Sequence, residues 1–251
     1  MDPTDAGPVN PAAFRHVPSL QGKVVPPDQS ELRVTPELIA TWDERACLNG
    51  LGPHWRLSDH ELDASRRAML GDCSTAQDIW VFGYGSLMWD PGFHFEEVRL
   101  ADIEGWQRRF CIRLEIGRGS PQRPALMLGL EPGPGHCQGV AFRIAGACAE
   151  CESAIVWRRE MLQGHYRPFR ARVATPQGPI NALVFGTNTA HAQYVGDLPV
   201  GQAAAIIATG EGDLGTNRQY LENLVAHFEE FRIEEDYLRR LLVQVQACSA
   251  A

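Results

Sequence analysis

The chain has 251 residues, a formal net charge of -8, and 44% hydrophobic against 22% charged residues, the balance of an ordinary soluble globular chain long enough to bury a core. With Lys and Arg nowhere clustered, the acidic balance argues against a nucleic-acid footprint. No apolar run reaches the roughly 20 residues of a membrane-spanning helix, Met1-Asp2-Pro3 opens no signal peptide, and the seven cysteines are scattered, so a cytoplasmic protein with reduced thiols is expected.

Residues 1–31 are rich in Pro, Gly and small polar residues without an apolar period. They read as a flexible N-terminal arm, leaving 32–251 as the folded domain. Thr35-Pro36-Glu37 then predicts a capped helix that Gly50 ends, and Ser58 followed by Glu61 has the spacing of a capping box that opens a helix toward Leu70. Beyond Gln77 come short runs rich in β-branched and aromatic residues: IWVFG, VRLADI, RRFCIRLEI, ALMLGL, CQGVAFRI, YRPFRARVA and INALVFG. They predict one substantial sheet or barrel, with a helix over 147–163 inserted before the sixth run and capped by Gly164. After Leu198 the chain turns helical, and Thr216 with Gln219 is a second capping-box candidate before LENLVAHFEEFRIEEDYLRRLLVQV. Helices, strands around one inserted helix, then helices again give an α+β class.

Within IWVFGYGSLMWDPGF the apolar run breaks at Gly83-Tyr84-Gly85-Ser86. A strand that runs into Tyr84-Gly85-Ser86-Leu87 can present successive backbone N–H groups to a carboxylate or phosphate, since Gly85 opens conformations closed to other residues and lets a ligand approach. Spacing alone favours a tight structural turn over such a nest, because neither the Walker pattern nor the full GxGxxG is present. Cys148 and Cys151 form a lone CxxC with no second ligand pair, which reads as two structural thiols one helical turn apart. Glu160, flanked by arginines, reads in isolation as a solvated carboxylate, and Tyr166 and Tyr220 read as core or rim tyrosines. None of the eight histidines has the context of a hydrolase triad.

Taken together, WVFGYGSLMWDPGF, GWQRRFCIRLEIGRGSPQRPALMLGLEPG, WRREMLQGHYRP and GDLGTNRQYLENL occur in an order that closely resembles the ChaC-type gamma-glutamylcyclotransferases. The resemblance runs from near Ile79 to the C-terminal helices. It implies a small mixed β-barrel surrounded by helices, and cleavage of glutathione into 5-oxoproline and Cys-Gly with no cofactor or metal. Carried over by motif, the loop Tyr84, Gly85, Ser86 and Leu87 binds the carboxylate end of the gamma-glutamyl group, and the catalytic glutamate falls on Glu160. Tyr166 and Tyr220 line the glutamyl pocket, with Arg113 and the Arg118-Gly119 loop as further substrate contacts. Asp90 stands where asparagine is the commoner residue, a departure that bears on the bonding of that loop. The resemblance leaves two alternatives open: a cyclotransferase for gamma-glutamylamines or dipeptides, read out by the loop 117–124, and a non-catalytic regulatory module that binds a gamma-glutamyl compound.

Overall fold

In this computed structural model, residues 9–71 and 77–248 are described. In chain order the elements are α1 (Pro36–Leu48), α2 (Asp59–Leu70), β1 (Ile79–Gly83), β2 (Glu97–Leu114), β3 (Ala125–Ile144), α3 (Ala149–Met161), β4 (Tyr166–Val173), β5 (Ile180–Thr187), α4 (Val200–Thr209), β6 (Glu211–Gly212), β7 (Gly215–Thr216), α5 (Asn217–Glu230) and α6 (Asp236–Cys248). They fall into two units, Met1–Ile103 with Gln138–Phe185, and Glu104–Cys137 with Gly186–Ala251.

The first unit is organised around β1. Its run of Val and Phe is apolar on both faces, as suits a central strand. It pairs antiparallel with β3, Val81 opposite Phe142, and parallel with β5, Val81 opposite Leu183. The full order is β2-β3-β1-β5-β4. The sheet also closes on itself, because Asp102 on edge strand β2 and Ala174, just past β4, exchange two backbone hydrogen bonds of 2.9 Å. The mixed, self-closing sheet with its helices is the α+β architecture expected. Val81, Phe82, Phe142, Leu183 and Phe185 are wholly buried, and the Trp157 ring of α3 meets Phe185 edge-on at 5.3 Å. Helix starts follow the capping signals: Thr35 Oγ1 accepts from Leu38 N at 3.3 Å, and Ser58 with Glu61 forms the complete capping box.

In the second unit α4, α5 and α6 bury Ala203, Ile207, Leu221, Leu224, Leu238 and Leu241. The α5 N-terminus is fixed from two sides. Thr216 Oγ1 accepts from Gln219 N at 3.2 Å, and the fully buried Asn217 side chain bonds Leu126 N at 2.7 Å and Leu126 O at 2.8 Å.

The strands are fewer and longer than the runs suggest. VRLADI and RRFCIRLEI form one strand, β2, and ALMLGL and CQGVAFRI form one strand, β3. Gly105 (φ 77°) and Gly135 (φ 100°) lie inside these strands, so glycines that suggest turns mark irregularities within continuous elements. The C-terminal helical run is interrupted after Glu230, where Arg232 takes φ 57°. From residue 9 on, the N-terminal arm packs on the fold: Phe14, Val17, Leu20 and Val24 are buried, Phe14 meets Phe95 edge-on at 6.0 Å, and Arg15 pairs with Glu97. Residues 1–8 of that arm lie outside the described residues.

Candidate active site

The β1 strand ends at Gly83 and the chain turns at once into a 3-10 turn, Ser86–Met88. At Gly83 a Cβ would sit 3.0 Å from Leu87 Cβ and 3.2 Å from its carbonyl carbon, so the missing side chain lets the turn fold tightly against the strand end. Gly85 itself has φ -138° and ψ -135°. Tyr84 and Leu87 are buried, whereas Gly85 and Ser86 between them are partly exposed. The turn's bonds are donated by Met88, Trp89 and Asp90, and none uses the N–H of Gly85, Ser86 or Leu87. First-turn N–H groups of this kind lie outside the helix's own bonding and suit an anionic partner. The Tyr84 hydroxyl donates to Phe185 O at 2.7 Å, anchoring the turn to β5.

Glu160 sits at the end of α3, with its side chain 13% exposed. Burial pushes the Glu160 carboxyl above its ordinary range, against a smaller downward pull from the Arg159 guanidinium. Arg159 is 7% exposed; its Nε lies 3.2 Å from Glu160 Oε1. From the same guanidinium, Nη2 donates to Ser86 Oγ at 3.0 Å and Nη1 to Asp90 O. Arg159 therefore ties the carboxylate to the glycine turn. Its role escapes sequence reasoning, because its partners lie some 70 positions upstream and nothing local marks it.

The segment after the turn is held from the packed arm. Ser30 Oγ donates to Asp90 Oδ1 at 2.5 Å, so the aspartate found in place of asparagine serves as an acceptor. Arg33 donates to Gly92 O at 3.0 Å and grips both oxygens of Glu152, at 2.8 and 2.9 Å. Gly92 has φ 71°, and a Cβ there would stand 2.8 Å from Leu32 O. Beyond Glu160, Gly164 (φ 74°) reverses the chain so that buried Tyr166 opens β4. Tyr84, Gly85, Ser86, Leu87, Glu160 and Tyr166 thus share the first unit.

Tyr220 and Arg113 belong to the second unit. Tyr220, on the first turn of α5, packs edge-on against Phe110 at 6.0 Å, and the Arg118 guanidinium stands 5.9 Å from its ring centre. Arg113 points its Nε at Glu115 Oε1, 3.2 Å away, with 41% of its side chain exposed. The Arg118 loop is backed by the β6–β7 hairpin: Leu214 N donates to Gly117 O at 2.8 Å, and a Cβ at Gly212 would sit 2.3 Å from Gly119 O. The GDLGTN stretch therefore both shapes this loop and starts the helix that carries Tyr220. Cys148 and Cys151 are exposed free thiols, and among the described residues no cluster of His, Cys, Asp and Glu is arranged to hold a metal.

The family model described as ChaC-like protein matches residues 79–248. The chain belongs to the ChaC-like family. This ChaC-like chain is 35% identical over 214 residues to the glutathione-specific gamma-glutamylcyclotransferase of Escherichia coli (strain K12), spanning 85% of this chain and 92% of that protein. It is 30% identical over 152 residues to the human glutathione-specific gamma-glutamylcyclotransferase 1, spanning 59% of this chain and 68% of the human protein. The crystal structure of a yeast gamma-glutamyl cyclotransferase specific to glutathione superposes with a TM-score of 0.61 at 22% identity, covering 68% of this chain and 96% of that chain, which shows the shared fold. No helix among the described residues is long and apolar enough to cross a membrane.

Proposed function

We propose that this protein cleaves glutathione into 5-oxoproline and cysteinylglycine, with Glu160 as general acid/base and the Tyr84–Leu87 turn as the seat of the gamma-glutamyl group. The carrying observation is the buried carboxyl of Glu160, raised by its surroundings and tied through Arg159 to a turn whose first N–H groups are outside its own bonding. The family and the 35% identity across 92% of the Escherichia coli enzyme support the same reading.

The reaction follows from the parts. The substrate's α-amine attacks its own γ-carbonyl carbon, forming the C–N bond of a five-membered lactam while the peptide C–N bond to cysteine breaks. The nucleophile belongs to the substrate, so the protein's task is to hold a folded conformer, and intramolecular closure of this kind gains most from orientation. The amine must shed a proton and the departing nitrogen must gain one. One carboxylate does both in turn, with no net proton change, when its pKa lies nearer neutrality than an exposed glutamate's. N–H groups of the Gly85–Leu87 turn bind the substrate carboxylate or the tetrahedral oxyanion. Tyr166, which shares the first unit with Glu160 and the turn, flanks the glutamyl group.

The test is incubation of the purified protein with reduced glutathione, following 5-oxoproline and cysteinylglycine by mass spectrometry beside a panel of gamma-glutamylamines and gamma-glutamyl dipeptides. Equimolar products from glutathione, formed faster than from the rest of the panel, are expected. Turnover confined to another gamma-glutamyl compound would reassign the leaving group, and binding without turnover would point to a regulatory module.

A further inference from the structure

Helix α3 carries a second cluster on the flank turned away from Arg159. Between α2, α3 and the start of α1 lies a cavity of about 160 Å³, walled by Leu62 and Trp157 with Asp59, Asp63, Arg66 and Arg158 at its polar side. That volume is well above the ~10–15 Å³ a single water needs. Three of the four charged groups are already matched. Asp59 Oδ1 accepts from Arg56 at 2.9 Å, Asp63 accepts from Arg66 and from Arg67 at 2.8 Å, and Arg66 is also held by Glu150. Arg158 alone makes no hydrogen bond or ion pair among the described residues; it is partly buried, feels Asp59, Asp63 and Glu37 only at a distance, and has the like charge of Arg66 nearby. Burial and that neighbour push its pKa down, as expected of a cation short of a counter-ion.

We propose that this cavity binds an amino-acid-sized organic carboxylate that also carries an N–H donor. A guanidinium presents a planar fork that matches the two oxygens of a carboxylate. Asp59 supplies the complement, since only its Oδ1 is engaged by Arg56 and Oδ2 is left to accept from the ligand. The same aspartates repel a bare multiply charged anion, which disfavours inorganic phosphate. The proposal does not depend on the reaction assigned to Glu160, and none of its residues belongs to that site.

The test is titration calorimetry with 5-oxoproline, acetate and inorganic phosphate on the native protein and on Arg158→Gln, Asp59→Asn and Glu160→Gln, each shown to be folded by circular dichroism. Saturable binding of 5-oxoproline with Kd near or below about 1 mM is expected. Arg158→Gln should weaken it roughly tenfold or more. Asp59→Asn is exposed enough to keep the fold, and should weaken 5-oxoproline but not acetate. The proposal fails if 5-oxoproline shows no saturation up to about 10 mM, if Arg158→Gln binds as the native protein does, if only Glu160→Gln loses binding, or if phosphate binds more tightly than 5-oxoproline.

Discussion

Replacing Arg159 with methionine removes the side chain that, among the described residues, joins Glu160 to the glycine turn, while keeping much of its length and apolar stem. The guanidinium is 7% exposed, lies 3.2 Å from Glu160 Oε1 and donates to Ser86 Oγ at 3.0 Å. Breaking a buried ion pair by removing one partner costs about 3–5 kcal/mol. Here the lower end applies, about 3 kcal/mol, because Glu160 can take up a proton instead of remaining an uncompensated charge. A domain with ~5–15 kcal/mol of stability survives that loss. The catalytic effect has a definite sign. Arg159 holds the Glu160 pKa down against burial, so its removal lets the pKa rise further, and the ionised base becomes scarcer at any pH on the acid side. The acid limb of the kcat/KM profile for glutathione should move up by about one pH unit or more, and Arg159→Lys, which keeps the charge without the fork, by less. Urea melts and pH profiles of 5-oxoproline formation read both effects. A folded Arg159→Met protein whose acid limb stays in place, or moves down, would show that Arg159 does not hold the Glu160 carboxyl down.

Three further outcomes follow from the same geometry. Arg33→Ala strips the two-pronged bond from Glu152, whose side chain is 7% exposed, and should cost about 3 kcal/mol in urea unfolding; a loss of a few tenths would mean that the packed arm does not brace the turn segment. Asn217→Ala leaves both polar groups of Leu126 without their side-chain partner, a loss of roughly 2–4 kcal/mol, and hydrogen exchange at the Leu126 amide should quicken in step. Since burial raises the folded-state pKa of Glu160 above its unfolded value, its favourable contribution is present below the unfolded pKa and is lost as pH rises through the folded one. Glu160→Gln should therefore gain stability relative to the native protein as pH rises from acid toward neutral, and parallel melts that show the reverse trend would contradict the burial.

Much of this architecture is written locally. Thr35, Ser58 and Thr216 mark their helix starts because a cap is a bond between residues three apart. Strand β1 announces itself as IWVF because a central strand is apolar on both faces. The long strands do not: Glu104-Gly105-Trp106 and Pro132-Gly133-Pro134-Gly135 have turn composition, and Gly105 and Gly135 keep positive φ inside strands that nonetheless continue. The arm was disguised by its prolines. The signal that was there is the spacing of Phe14, Val17 and Leu20, three apart, which are the residues that become buried. At the site, the glycine turn was visible as a break in an apolar run, but the reason for its glycines was not, since the tight packing of Leu87 on Gly83 is a property of the folded turn. Glu160 could be singled out only through its family motif, because burial and the Arg159 link arise when α3 meets a turn some 70 residues upstream.

In the proposed reaction a single buried carboxylate moves both protons of the ring closure. The most direct test compares Glu160→Gln with the native protein in the release of 5-oxoproline and cysteinylglycine from glutathione, at matched fold and matched substrate binding. Loss of roughly a hundredfold or more in kcat, with glutathione still bound, is the predicted result. A folded Glu160→Gln protein that turns glutathione over at the native rate would remove Glu160 from the chemistry.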